Sequence, residues 1–235
     1  MRTLIFGAGT VILCLCPSQA AELLRYNFGT PGSESTVETA PAFAPTIFGT
    51  GLTATPVRDP MSTVGIEISS APAGATIPPN APFLRLDPQG SSTSAAAAIA
   101  GNKYFEFTLT PEAGYQFTLD SIAFDVTRGG GSTPRGYVLR SSVDNFTADL
   151  AGGDLTTARP TYTPVSVTLG STYADLTTPV TFRFYNYAPA AGNSIDYDNI
   201  SLSGTITAVP EPGTLALGAL GAFALMAAST KRRRQ

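Results

Sequence analysis

The sequence predicts an all-β chain, an antiparallel β-sandwich or jelly roll preceded by a signal peptide and followed by a single C-terminal transmembrane helix. Three observations carry this. Short stretches with an apolar residue at every second position recur through the body. Turn chemistry separates them, with 23 Gly and 19 Pro in 235 residues. No amphipathic helix of any length interrupts the series, which is the pattern of many short strands packed as two layers. Charged residues make up only 13% of the chain. Aromatic and β-branched residues are plentiful, so the composition is that of a folded domain and not a disordered one.

Residues 1–20 form the first unit. Arg2 gives a basic start, Leu4 to Leu15 an apolar core, and Ser18-Gln19-Ala20 a small-residue end. This is the order of a secretory signal peptide, with cleavage expected between Ala20 and Ala21. Its apolar core is shorter than the roughly 20 residues a spanning helix needs. Cys14 and Cys16, the only cysteines, leave with it. Leu13 and Leu15 beside them lack the small residues of a lipoprotein signal.

The body, 21–208, is read as the β-sandwich. Leu24 to Phe28 alternates and predicts a first strand, and Gly29 to Pro45 reads as a long loop. Val64 to Ile68 alternates again, and Pro72, Pro78, Pro79 and Pro82 exclude a helix or central strand in the next stretch. Thr93 to Ala100 has four consecutive alanines and predicts a short helical turn, bounded by Gly90 and Gly101. The strongest alternation is Tyr104 to Leu109. It places Phe105, Phe107 and Leu109 on a buried face and Tyr104, Glu106 and Thr108 on a wet one. Tyr115 to Leu119, Ile122 to Val126, Tyr137 to Arg140, Val165 to Leu169, Val180 to Tyr185 and Ile200 to Ile206 complete the strands. Phe105, Phe107, Phe117, Phe124, Phe182 and Phe184 are the predicted core. About 190 residues bury enough surface for one core without disulfide or metal.

Several chemistries are excluded. The chain has no histidine and the body no cysteine, which removes a Ser-His-Asp triad, a thiol nucleophile, a disulfide framework and the usual zinc or haem ligation. Between Glu22 and Glu211 nine basic residues face seventeen acidic ones, a net of −8, which repels phosphate backbones and argues against nucleic acid. Gly129-Gly130-Gly131 lacks the Lys-Ser/Thr of a phosphate loop and reads as a hairpin connection. No motif singles out an acid pair of the glycosidase kind, so the body is expected to be non-catalytic and without a cofactor. Asp196 and Asp198, two apart and on one face of a strand, are the candidate ligands for a structural calcium, with Glu22 or Glu34 to complete the set. Tyr137, Tyr162, Tyr173, Tyr185, Tyr187 and Tyr197 are the aromatic faces available to a sugar, or else structural residues with bonded hydroxyls.

The last unit is 209–235. Pro210-Glu211-Pro212 precedes an uninterrupted apolar run from Thr214 to Ser229, and Lys231, Arg232, Arg233 and Arg234 follow it. A run of this length spans a bilayer with some local thinning and snorkelling of the flanking cations, which stay cytoplasmic. The three parts, in this order and at the chain end, resemble the PEP-CTERM sorting signal of Gram-negative bacteria. The resemblance implies export across the inner membrane and a membrane-anchored precursor. It also implies recognition of Pro210, Glu211 and Pro212 by an exosortase, a membrane-embedded cysteine peptidase, with release or transfer at the cell surface. Such proteins occur alongside exopolysaccharide and biofilm genes. The body, through Tyr104 to Leu109, Gly114, Leu119 to Ile122 and Ile195 to Ile200, is similar to the jelly-roll domains attached to this tag. The expected role is therefore an exported, non-catalytic surface or matrix protein whose partners are exosortase, the secretion machinery, the membrane and exopolysaccharide. A calcium-dependent carbohydrate-binding module is the alternative.

Overall fold

The computed structural model describes residues 20–30, 32–70, 82–88 and 90–209. The signal-peptide core, Pro72, Pro78 and Pro79, and the sorting tail with Pro210, Glu211, Pro212 and Lys231 to Arg234 lie outside the described residues.

Twelve strands and one short helix make up the described fold. The strands are β1 (Ala21–Tyr26), β2 (Thr46–Ile47), β3 (Leu52–Ala54), β4 (Ile66–Ser69), β5 (Phe83–Leu86) and β6 (Tyr104–Pro111), followed by β7 (Tyr115–Arg128), β8 (Gly136–Ser141), β9 (Ala151–Asp154), β10 (Thr163–Thr168), β11 (Val180–Tyr187) and β12 (Ile195–Ala208). Helix α1 (Ala95–Ala100) lies between β5 and β6. One sheet runs β10-β7-β12-β1-β2, with β5 paired to β12 and β4 to β5; the other runs β3-β6-β11-β8-β9. Every strand pairing within the two sheets is antiparallel. Among the described residues no helix is long and apolar enough to cross a membrane.

The two inner faces meet in one aromatic core. All six predicted phenylalanines are buried in it. Phe105 stacks on Phe184 at 4.7 Å between ring centroids, and Phe124 meets Phe184 edge-on at 5.1 Å. Tyr26, Phe28 and Phe43 are fully buried as well. Phe43 comes from the predicted long loop, where the segment 41–43 makes a turn of 3-10 helix that carries it inward.

Strands β2, β3, β5 and β9 are additions to the predicted set, and three of the predicted elements differ from expectation. The outer face of β6 is not wet: Tyr104 and Glu106 are 5% and 4% exposed. Helix α1 covers Tyr104, and Arg58 and Arg183 close over Glu106 at 2.6 and 2.9 Å. Residues 115–128, predicted as two strands, form the single strand β7. The apolar phase there switches from Phe117 and Leu119 to Ile122 and Phe124. A bulge absorbs the switch: Ser203 pairs with Ser121 and Gly204 with Leu119, which leaves Asp120 as the extra residue. At Gly204 an added Cβ would lie 2.0 Å from the Thr118 carbonyl oxygen. Finally, β12 begins at Ile195, five residues before the predicted Ile200, and its own phase switches at a second bulge between Asp198 and Ser201. Asn199 stands there with φ of +50°, a left-handed conformation asparagine tolerates better than most residues.

Strand β12, fourteen residues long, defines two poles of the described sandwich. At one, Ala21 pairs with Gly204, Ala208 pairs with Tyr115, and the Val209 amide donates to the Gly114 carbonyl at 2.8 Å. Both ends of the body emerge at this pole. At the other, Ile195 pairs with Arg128, and the Gly129–Gly131 loop crosses to β8 in the other sheet, so it is an inter-sheet connection and not the predicted hairpin.

Candidate functional site

The second bulge of β12 shapes the outer face of the first sheet. Asp198 stands directly opposite Asp125 of β7. Tyr197 and Val126 next to them point into the core, so the two carboxylates share the outward face. The left-handed Asn199 folds back over the pair. Its amide N–H donates to Asp198 Oδ1 at 2.7 Å and its Nδ2 to Asp125 Oδ2 at 3.0 Å. Asp198 is 4% exposed. Burial, and then the charge of Asp125, push its carboxyl up to about 7 against the pull of the Asn199 amide. An open groove of about 630 Å³ runs beside the bulge, lined among others by Arg25, Asp125, Ser166, Asn199 and Ser201. It offers donors and acceptors of both kinds over the small side chains of Ala123 and Ser201.

Asp196 and Asp198 do lie on one face, as their spacing predicts, but they are held differently. Asp196 is fully buried, and Arg159 grips it with two guanidinium nitrogens, Nη2 to Oδ1 at 2.8 Å and Nε to Oδ2. Burial raises the Asp196 carboxyl and Arg159 works against that rise. With both oxygens engaged, Asp196 is a poor calcium ligand. Glu22 bonds Arg25 at 2.6 Å and Glu34 bonds the Ser70 hydroxyl, so neither reaches across to complete a set. Among the described residues no group of three or more His, Cys, Asp or Glu gathers around one point.

The tyrosines are mostly structural. Tyr137, Tyr173, Tyr185, Tyr187 and Tyr197 are all 6% exposed or less, which leaves no flat face for a sugar. The Tyr173, Tyr187 and Tyr197 hydroxyls bond Ser141 Oγ, Asp154 Oδ1 and Asn186 Oδ1, each at 2.6 Å. Tyr162 alone of the six is partly open, but its hydroxyl is buried without a hydrogen-bond partner. Burial first, and then Asp196 and Asp198, push that hydroxyl well above the ordinary tyrosine range.

Asp125 is the residue the sequence does not announce. Its outward position in Phe124-Asp125-Val126 is legible, but its pairing with Asp198 depends on a register set over more than seventy residues.

No curated protein matches the chain. Among solved structures, an α-L-arabinofuranosidase with arabinose bound is 14% identical at a TM-score of 0.45, over 78% of this chain and 26% of that one. This chain thus spans about a quarter of that enzyme. A cyclase from Fischerella sp. TAU is 14% identical at 0.44, over 82% and 100% of the two chains. The K3 cleaved adhesin domain of Lys-gingipain from Porphyromonas gingivalis W83 is 18% identical at 0.38, over 79% and 99%. Likenesses this distant carry nothing about ligand or reaction. The decisive match is at the chain end: residues 208–234 fit the PEP-CTERM protein-sorting motif, and the chain is one that bears this signal, which implies export and processing by an exosortase.

Proposed function

We propose that the protein is an exported, non-catalytic surface protein, anchored by its tail as a precursor, processed by an exosortase, and associated in its mature form with the exopolysaccharide of a biofilm matrix. The sorting motif at 208–234 carries this reading. It follows directly on a folded sandwich, in which Val209 is still hydrogen-bonded to Gly114 in the turn between β6 and β7. Intact-mass measurement on protein from native cells tests the processing step. The expected species ends near Pro210 and lacks the whole cluster from Lys231 to Arg234; a mature species that retains Arg234 refutes it.

A second reading, a carbohydrate-binding module, is favoured by one observation, the convergence of Arg25, Asp125, Asn199, Ser166 and Ser201 on the groove. Calcium, if it takes part, would draw on Asp125 with Asp198 and not on Asp196. A glycan array with and without calcium separates the readings. Binding that requires calcium favours the module, and failure on every sugar with retained surface localisation favours the structural role.

A further inference from the structure

Three arginines, Arg128, Arg135 and Arg159, stand at the pole opposite Val209, and Asp196 pairs with the last of them. The chain has eight arginines between Glu22 and Glu211. Among the described residues six of them form ion pairs with carboxylates; Arg128 and Arg135 form none. Both stand at the Gly129–Gly131 loop. Arg128 Nη1 donates to the Gly130 and Gly131 carbonyls at 3.0 and 2.8 Å, and its Nη2 to the Thr156 carbonyl at 3.2 Å. Arg135 is 4% exposed and donates to the Ser194 carbonyl at 2.7 Å and to Asn193 Oδ1 at 2.6 Å. Carbonyl and amide oxygens fix both guanidiniums in place without cancelling their charge. The Nε of each is buried with no partner. Arg159 lies against the same loop, since an added Cβ at Gly129 would meet its Nη2 at 2.8 Å, and Asp196 is its ion-pair partner. Burial, and then the repulsion of Arg128, lower the affinity of Arg135 for its proton, with Asp196 opposing.

Arg135 is the buried member, held by neutral oxygens with Asp196 as its only nearby carboxylate influence, and a further oxyanion at the loop would offset its charge. The planar fork of arginine suits carboxylate or sulfate oxygens. The loop is open to solvent there, since an added Cβ at Gly131 meets nothing within 4 Å. Arg128 is part-exposed and supplies the contact, while Arg135 behind it supplies the field.

We infer that the Gly129–Gly131 pole is a binding site for the acidic groups of an anionic polysaccharide, with Arg128 and Arg135 as its recognition pair. This deepens the matrix association proposed above and rests on it only for the identity of the polymer. The sorting of the tail is independent, so a failure here leaves the intact-mass result untouched.

The test uses the full chain in non-ionic detergent, titrated with polygalacturonate, with its neutral methyl ester, and with sodium sulfate. Expected are binding to polygalacturonate that weakens roughly tenfold or more as salt rises from about 50 to 300 mM, and none to the ester. Gly131→Glu, which supplies a carboxylate from the loop itself, is expected to weaken binding roughly tenfold or more while raising the melting temperature. Arg128→Gln loses binding similarly, and Arg140→Gln, which removes the same charge from the other sheet, retains it. Equal binding to the ester, no binding to polygalacturonate at low salt, wild-type binding by a folded Gly131→Glu, or loss in Arg140→Gln each overturns the site. Sulfate that competes equally, charge for charge, overturns the polymer in favour of a free oxyanion.

Discussion

Asp198 places a carboxylic acid inside a polar cluster, and among the described residues it forms no ion pair. An ordinary aspartate releases its proton near 3.9. In the fold the proton is held up to about 7, chiefly by burial and secondarily by Asp125. Between these values the native state binds more protons than the unfolded chain. The stabilisation is therefore complete below about pH 4, is lost as pH rises through 7, and stays lost above. Asp198→Asn is expected to abolish this slope. Denaturation at pH 4 and pH 8 should find the variant close to its parent at the lower value. At the higher it should be more stable by on the order of 1–3 kcal/mol. A parent whose stability is level from pH 4 to 8 would contradict the assignment.

At the scale of elements, β12 shows what can be read from a sequence and what cannot. The alternation at β6, β7, β8 and β11 is plain, because each buries one face against the same core and period two records that directly. Even the bulges leave a trace, in the phase switch after Leu119 and again after Tyr197. What the sequence lacks is anything that marks long-range register. Asp125 and Asp198 meet, and Arg159 reaches Asp196, only because particular strands are neighbours. Strands β2, β3 and β9 are two to four residues long and too short to show a period. The wet face expected for β6 is covered by elements from elsewhere in the chain. Helix α1 is legible in outline from its alanines, and Ser94 caps it by accepting from the Ala97 amide at 3.2 Å. Gly204 is the most exacting position in this layer. Gly204→Ala forces a methyl group against the Thr118 carbonyl and is expected to cost about 1–3 kcal/mol, seen as a lower denaturation midpoint.

At the scale of the molecule, the two poles divide the work. One carries both ends of the described body, Ala21 and Val209, so under the proposed function attachment is at a single end. The other carries the Gly129–Gly131 loop with Arg128 and Arg135, on a body otherwise rich in acid. The groove beside Asp125 and Asp198 lies on the flank between them. This separation suits the proposed role, in which the tail attaches at one pole and an anionic polymer binds at the other.

The fourteen residues of β12 connect these poles in one unbroken strand. A polymer that drags on the Gly129–Gly131 end while the tail is still fixed therefore loads this strand along its own axis. The cross-strand hydrogen bonds to β7 stand perpendicular to that axis. They resist as a set, in shear, and do not open one at a time. Tension applied instead at Val209 and Tyr115, which sit side by side, would peel the same two strands apart like a zipper. The sandwich is thus mechanically strong in the one direction that tethering would stress.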